Sequence, residues 1–132
     1  MTALDLAKDW LRIARSDITT AKHMFDNVHP KEIEISCYHS QQCAEKSLKA
    51  YLVSKMIEPP HTHDLVDLCN RCAIQDASFS AIQQYCVFLN PYGVHVRYPN
   101  ELAVDETITK MAIEKSQEIF DFCDNLLKEM DK

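Results

Sequence analysis

The sequence predicts an all-α protein: an antiparallel up-and-down bundle of about five helices, three long and two short. Three observations carry this. Apolar residues recur at helical spacing along almost the whole chain. A single Gly occurs, so the tight turns of a hairpin-rich β protein lack the residue they call on repeatedly. The breaks in periodicity coincide with Pro30, Pro59-Pro60, Pro91 and Pro99, and proline cannot continue a helix. The 132 residues make one expected domain spanning residues 1–132. With 46% apolar and 26% charged residues, the composition is that of an ordinary soluble globular protein. A core of this size buries roughly 65–70% of the unfolded surface, so stability requires neither a metal nor a disulfide.

The first helix reads from Leu4, Leu11, Ile18 and Phe25, seven residues apart, with Ala7, Ala14 and Ala21 three positions after each of the first three. This large-and-small seam suits close packing against another long helix, and it is a candidate dimer face; Trp10 and Ile13 widen it. The helix should stop near Asn27–His29. Pro30 suits a first turn, with Glu32 and Glu34 near the positive end of the next helix dipole. That second long helix runs to about Lys55, with Cys37, Ala44, Leu48, Tyr51 and Leu52 inward. Thr62 is the expected cap of a short third helix holding Leu65, Leu68, Cys69 and Cys72. Asp76 or Ser78 caps a fourth, with Phe79, Ile82, Cys86 and Leu89 inward. Asn90 to Ala103 reads as an irregular connection. Asp105 and Glu106 open the last long helix, whose expected buried stripe is Ile108, Met111, Ala112, Ile119, Phe122 and Leu126.

Charge narrows the function classes. Fourteen Lys and Arg against twenty Asp and Glu give a formal charge of −6, all of it from residues 61–132. An acidic chain argues against indiscriminate binding to long nucleic acid, DNA included, but leaves room for a local basic groove in the neutral first half. No apolar run approaches the ~20 residues that span a bilayer, and the start lacks a secretory layout. A cytoplasmic location without membrane partners is the expectation. The six cysteines then read as reduced thiols, several of them small core residues. Cys69 and Cys72 have metal-ligand spacing with His61 and His63 upstream, yet they lie in a helical pattern without a second pair, so no metal site is expected.

Three segments can carry chemistry. On the second helix His39, Gln42, Glu45, Lys46 and Lys49 fall three and four apart, forming one polar stripe. It reads either as a solvated face or as a groove wall where Lys46 and Lys49 meet phosphate, oriented by Gln42 and Glu45. The loop His61-Thr62-His63-Asp64 precedes a helix N-terminus, where free N–H groups can hold an anion; capping with exposed histidines is the alternative. The stretch from Asn90 to Pro99 combines Tyr92, His95, Arg97 and Tyr98, a set able to stack on a base, hold a phosphate and move a proton. A structured connection between helices is its other reading. One glycine cannot build a phosphate-cradling loop, and no Gly-flanked nucleophilic serine or zinc-binding His-Glu-x-x-His is present.

Taken in order, Gln42-Cys43-Ala44-Glu45-Lys46-Ser47-Leu48-Lys49-Ala50, Thr62-His63-Asp64-Leu65 and Val94-His95-Val96-Arg97-Tyr98-Pro99 resemble the HEPN domain (higher eukaryotes and prokaryotes nucleotide-binding) over roughly residues 3–128. The resemblance implies a five-helix homodimer around a shared cleft. It further implies a partner that is a minimal nucleotidyltransferase in a toxin–antitoxin-like pair, and a nucleotide or RNA as the ligand, with no cofactor. Gln42, Glu45, Lys46, Lys49, His63, Arg97 and Tyr98 are the candidate ligand-binding residues. An active branch of the superfamily cuts RNA without metal, through an Arg followed four to six residues later by His. Here His95 and Arg97 would serve that chemistry, but Arg97 follows His95, and Asn90 stands near where the arginine belongs. The resemblance is therefore closer to the nucleotide-binding branch; a ribonuclease and a ligand-free scaffold are the rival expectations.

Overall fold

The structure is a computed structural model, described over residues 1–93 and 104–132. The described residues form five α-helices: α1 (Ala3–Asp26), α2 (Ile33–Ser54), α3 (Leu65–Gln75), α4 (Gln83–Leu89) and α5 (Glu106–Met130). Two 3-10 turns, Ala77–Ile82 and Asn90–Gly93, flank α4. The first four residues of the expected irregular connection are thus helical, and the candidate residues His95, Arg97 and Tyr98 lie outside the described residues. None of the described helices is long and apolar enough to cross a membrane.

Local chemistry explains the boundaries. Thr2 and Asp5 form a reciprocal capping box, each side chain bonding the other's backbone N–H at 3.0 Å. Asp76 and Asp105 cap the first 3-10 turn and α5 as anticipated. The cap of α3 is Asp64 rather than Thr62, whose hydroxyl instead accepts the Asp64 N–H at 3.1 Å. An aspartate two residues nearer the helix reaches both Val66 N and Asp67 N, so it displaces the threonine.

α2 is the axis of the bundle, with fourteen of its 22 residues buried. α1 lies antiparallel to it: Ala21 meets Ser36, and Asp17 meets His39 and Lys46. The alanine seam is enclosed within the bundle, with Ala7, Ala14 and Ala21 all at 0% exposure, and so is no free dimer face. α5 covers another side, where Ser116 donates to Ser40 O at 2.7 Å. Small side chains let these helices approach closely enough for hydroxyls on one to bond carbonyls on the next. The Pro59-Pro60 segment carries the chain back along α2, so that α3 runs beside it from Gln41 toward Leu48.

The seam of α1 is buried as expected except at one position, and the stripe of α5 is rotated. Ile13 stays 41% exposed on α1, and Met111 is 39% exposed on α5. The core line of α5 is Thr109, Ala112, Ser116, Ile119, Cys123 and Leu127, with Ile108, Phe122 and Leu126 on its half-buried flank. Small polar residues occupy the closest approach to α2, and an apolar-only reading passes over them. Leu48→Ala, at a fully buried site, should cost about 2–5 kcal/mol, whereas Met111→Ala should change stability by no more than about 0.5 kcal/mol; urea unfolding of the two variants checks the assignment.

Candidate functional site

The polar stripe of α2 is neither a solvated face nor a row of free cations. Lys49 Nζ donates to Glu45 Oε2 at 3.2 Å, and the two side chains are only 8% and 5% exposed. The other carboxylate oxygen, Glu45 Oε1, faces His63 Nδ1 at 2.9 Å, although the His63 side chain is 73% exposed. One turn away on the α1 side, Asp17 makes the equivalent junction. Its Oδ2 accepts from Lys46 Nζ at 2.8 Å, and its Oδ1 faces His39 Nδ1 at 2.9 Å. Each half of the stripe is therefore a carboxylate shared by one lysine and one imidazole.

A carboxylate only accepts hydrogen bonds, so the imidazole nitrogen facing it carries the proton. Both histidines thus hold Nδ1–H toward an acid and keep Nε2 as the proton-accepting edge. Asp17 was not among the sequence candidates. The signal that could have exposed it is an acidic residue within the buried line of α1, between Ala14 and Ile18. A buried carboxylate needs a charged partner, which on this seam can come only from a neighbouring helix.

Between the junctions, Gln42 is half-buried and donates to Gln41 Oε1 at 2.8 Å. Gln41 is fully buried and bonds the His63 carbonyl at 3.0 Å, fixing the loop that brings His63 to Glu45. Gly93 closes on this amide: a Cβ there would sit 2.8 Å from Gln41 Nε2. The N-terminus of α3 is not an open anion hole. Asp64 occupies Val66 N and Asp67 N, and Asn90 Oδ1 accepts from Leu65 N at 2.9 Å. Asn90 also donates to Asp64 at 3.1 Å, so its amide ties helices together.

The cysteines offer no nucleophile. All six are buried and unbridged. Burial pushes the Cys43 thiol up to about 12 and raises Cys72 and Cys123 as well. A hydrogen bond between Cys69 and Cys86 lowers the first and raises the second. Cys72 bonds Leu48 O and Cys69 bonds Phe79 O, while His63 is held by Glu45, so the zinc-spaced residues do not converge. Among the described residues no group of three or more His, Cys, Asp or Glu is placed to hold a metal.

The model of the HEPN domain matches residues 7–126. This chain belongs to the HEPN family. Solved structures agree in fold. An archaeal HEPN homologue is 23% identical with a TM-score of 0.72, covering 92% of this chain and 97% of its own. A protein from Thermus thermophilus is 21% identical at TM-score 0.71, over 90% and 96% of the two chains. A HEPN domain protein from Thermotoga maritima is 18% identical at TM-score 0.58, over 96% and 97%. No curated protein matches the chain.

Two outcomes test the HEPN site's construction. Glu45→Gln leaves the Lys49 ammonium buried without its counter-charge and should cost about 3–5 kcal/mol, while His63→Ala, at an exposed position, should cost no more than about 1 kcal/mol; denaturant midpoints report both. The six thiols, enclosed and mostly shifted upward, should resist an aromatic disulfide reagent at mildly alkaline pH and all react once the chain is unfolded.

Proposed function

We propose that this HEPN chain is a dimeric nucleotide-binding and interaction module that partners a minimal nucleotidyltransferase, as one half of a toxin–antitoxin-like pair. The observation that carries the reading is the pair of partly exposed groups, Lys46 and His39, that share the Asp17 carboxylate on the central helix of a HEPN fold. Lys46, 24% exposed, is the α2 amine that meets a phosphate. Gln42, half-buried on the same stripe, is a further contact, and Arg97 and Tyr98 are the contacts proposed from the connection that follows α4. His63 is a secondary contact. Lys49 acts differently from a phosphate ligand. Enclosed with Glu45, it holds that carboxylate in place for His63, because at 8% exposure its ammonium is out of reach of a large anion.

The dimer needs a surface other than the alanine seam. Leu6, at 44% exposure, half-buried Trp10 and Ile13 follow one another at spacings of four and three along α1, leaving an apolar line on the outside of the bundle. A second copy covering that line accounts for its exposure.

Calorimetric titration with ATP, GTP and short RNA should give saturable binding that Lys46→Met weakens at least about tenfold, equivalent to about 1.4 kcal/mol. The protein's mass in solution should be twice that of the chain. Absence of binding to all three ligands, together with a monomeric mass and no co-purifying nucleotidyltransferase, would overturn the reading.

A further inference from the structure

The two junctions on α2 differ in one physical respect. At Glu45 the lysine is enclosed, so only the imidazole reaches solvent. At Asp17 both partners do: His39 is 29% exposed and Lys46 24%, while the carboxylate between them is 11% exposed. Asp17 comes from α1 and the other two from one face of α2, two turns apart, so the carboxylate bridges both across the helix pair. The edge of the His39 ring meets Tyr38 at a centroid distance of 5.4 Å, which further fixes its plane.

Charge arithmetic then decides what this junction can bind. With His39 neutral, Lys46 and Asp17 cancel and the junction exerts no net attraction on an anion. With a proton on Nε2, it carries one net positive charge, with an imidazolium and an ammonium flanking the same carboxylate. Two donors of that kind match two oxygens of a phosphoryl group.

We infer that Asp17, His39 and Lys46 form a proton-coupled phosphoryl-binding centre, in which the ligand enters as His39 takes up one proton from solvent. This rests on the nucleotide-binding reading and deepens it, adding Asp17 as a positioning residue and His39 as a direct contact. Asp17 does not touch the ligand. It fixes Nδ1–H inward, so that the incoming proton can reside only on Nε2, facing the anion. The charged or titratable groups that the described residues place against His39 are Asp17 from α1 and, on its own helix, Tyr38, with Lys46 joined through Asp17.

The test uses the full chain and inorganic pyrophosphate, with sulfate at matched ionic strength as the control. Calorimetry in two buffers of different ionisation enthalpy should report uptake of up to one proton per pyrophosphate bound. The dissociation constant should rise with pH by up to about tenfold per unit once free imidazole is neutral. The His39 ring resonances should move toward their imidazolium positions on titration, and His63 should move less. His39→Gln should remove the pH dependence, and Asp17→Asn should reduce proton uptake while far-UV circular dichroism stays native. The resonance measurement on the unaltered protein stands even if a variant fails to fold. Pyrophosphate binding without proton uptake or a His39 response overturns the inference, as does an equal response to sulfate or no binding of pyrophosphate. If ATP still binds in any of those cases, the nucleotide reading survives; if pyrophosphate moves His39 while no nucleotide or RNA binds, the centre stands and the nucleotide reading falls.

Discussion

Charge in the middle of a helical bundle is expensive unless it is answered at close range, and that constraint organises this protein. Glu45 and Lys49 sit one turn apart on the most enclosed helix, and Asp17 is buried on the seam of its neighbour. Taking these groups out of water costs several kcal/mol each unless a counter-charge and further hydrogen bonds replace the lost hydration. The fold meets the requirement with pairs that cross between elements: α1 to α2 through Asp17, and the loop before α3 to α2 through Glu45. Each pair therefore fixes a tertiary contact and orients an imidazole in the same stroke.

The same enclosure shapes the apolar core. Because α2 is surrounded by α1, α3 and α5, its small residues set how near those helices come. Each buried serine and threonine donates its hydroxyl hydrogen bond to a carbonyl oxygen. Ser36 bonds Ala21 O, Ser40 bonds Ser36 O and Ser116 bonds Ser40 O, a chain of donors running across three helices. Cysteine plays a comparable part on the α3 side, where Cys72 bonds Leu48 O. An interior built in this way satisfies its polar groups without admitting water.

Much of this was legible from residue pattern. The five helices, the inward faces of α3 and α4 and the caps at Asp76 and Asp105 followed from local spacing and residue type, and three ordered motifs carried the HEPN resemblance. The rotated stripe of α5 did not, because Thr109 and Ser116 are polar by type yet lie on the innermost line, while Met111 is apolar and lies outside it. The stripe on α2 was visible as a set of residues, but its meaning was not. Spacing of three and four says that side chains are neighbours on one helix and nothing about what stands opposite. Asp17 stands opposite Lys46 and His39, while Glu45 on the same helix takes Lys49 out of solvent.

The amino-acid order alone determined that the chain is helical and where its helices begin and end within a few residues. These are consequences of short-range chemistry: periodicity, capping and the conformational limits of proline. Only the packed structure decided which charges are free to act. Whether Lys46 or Lys49 reaches solvent depends on the carboxylate each one meets and on the helix that covers it. That choice is made between residues separated by 29 positions in one case and by a single turn in the other, and distance along the chain does not encode it.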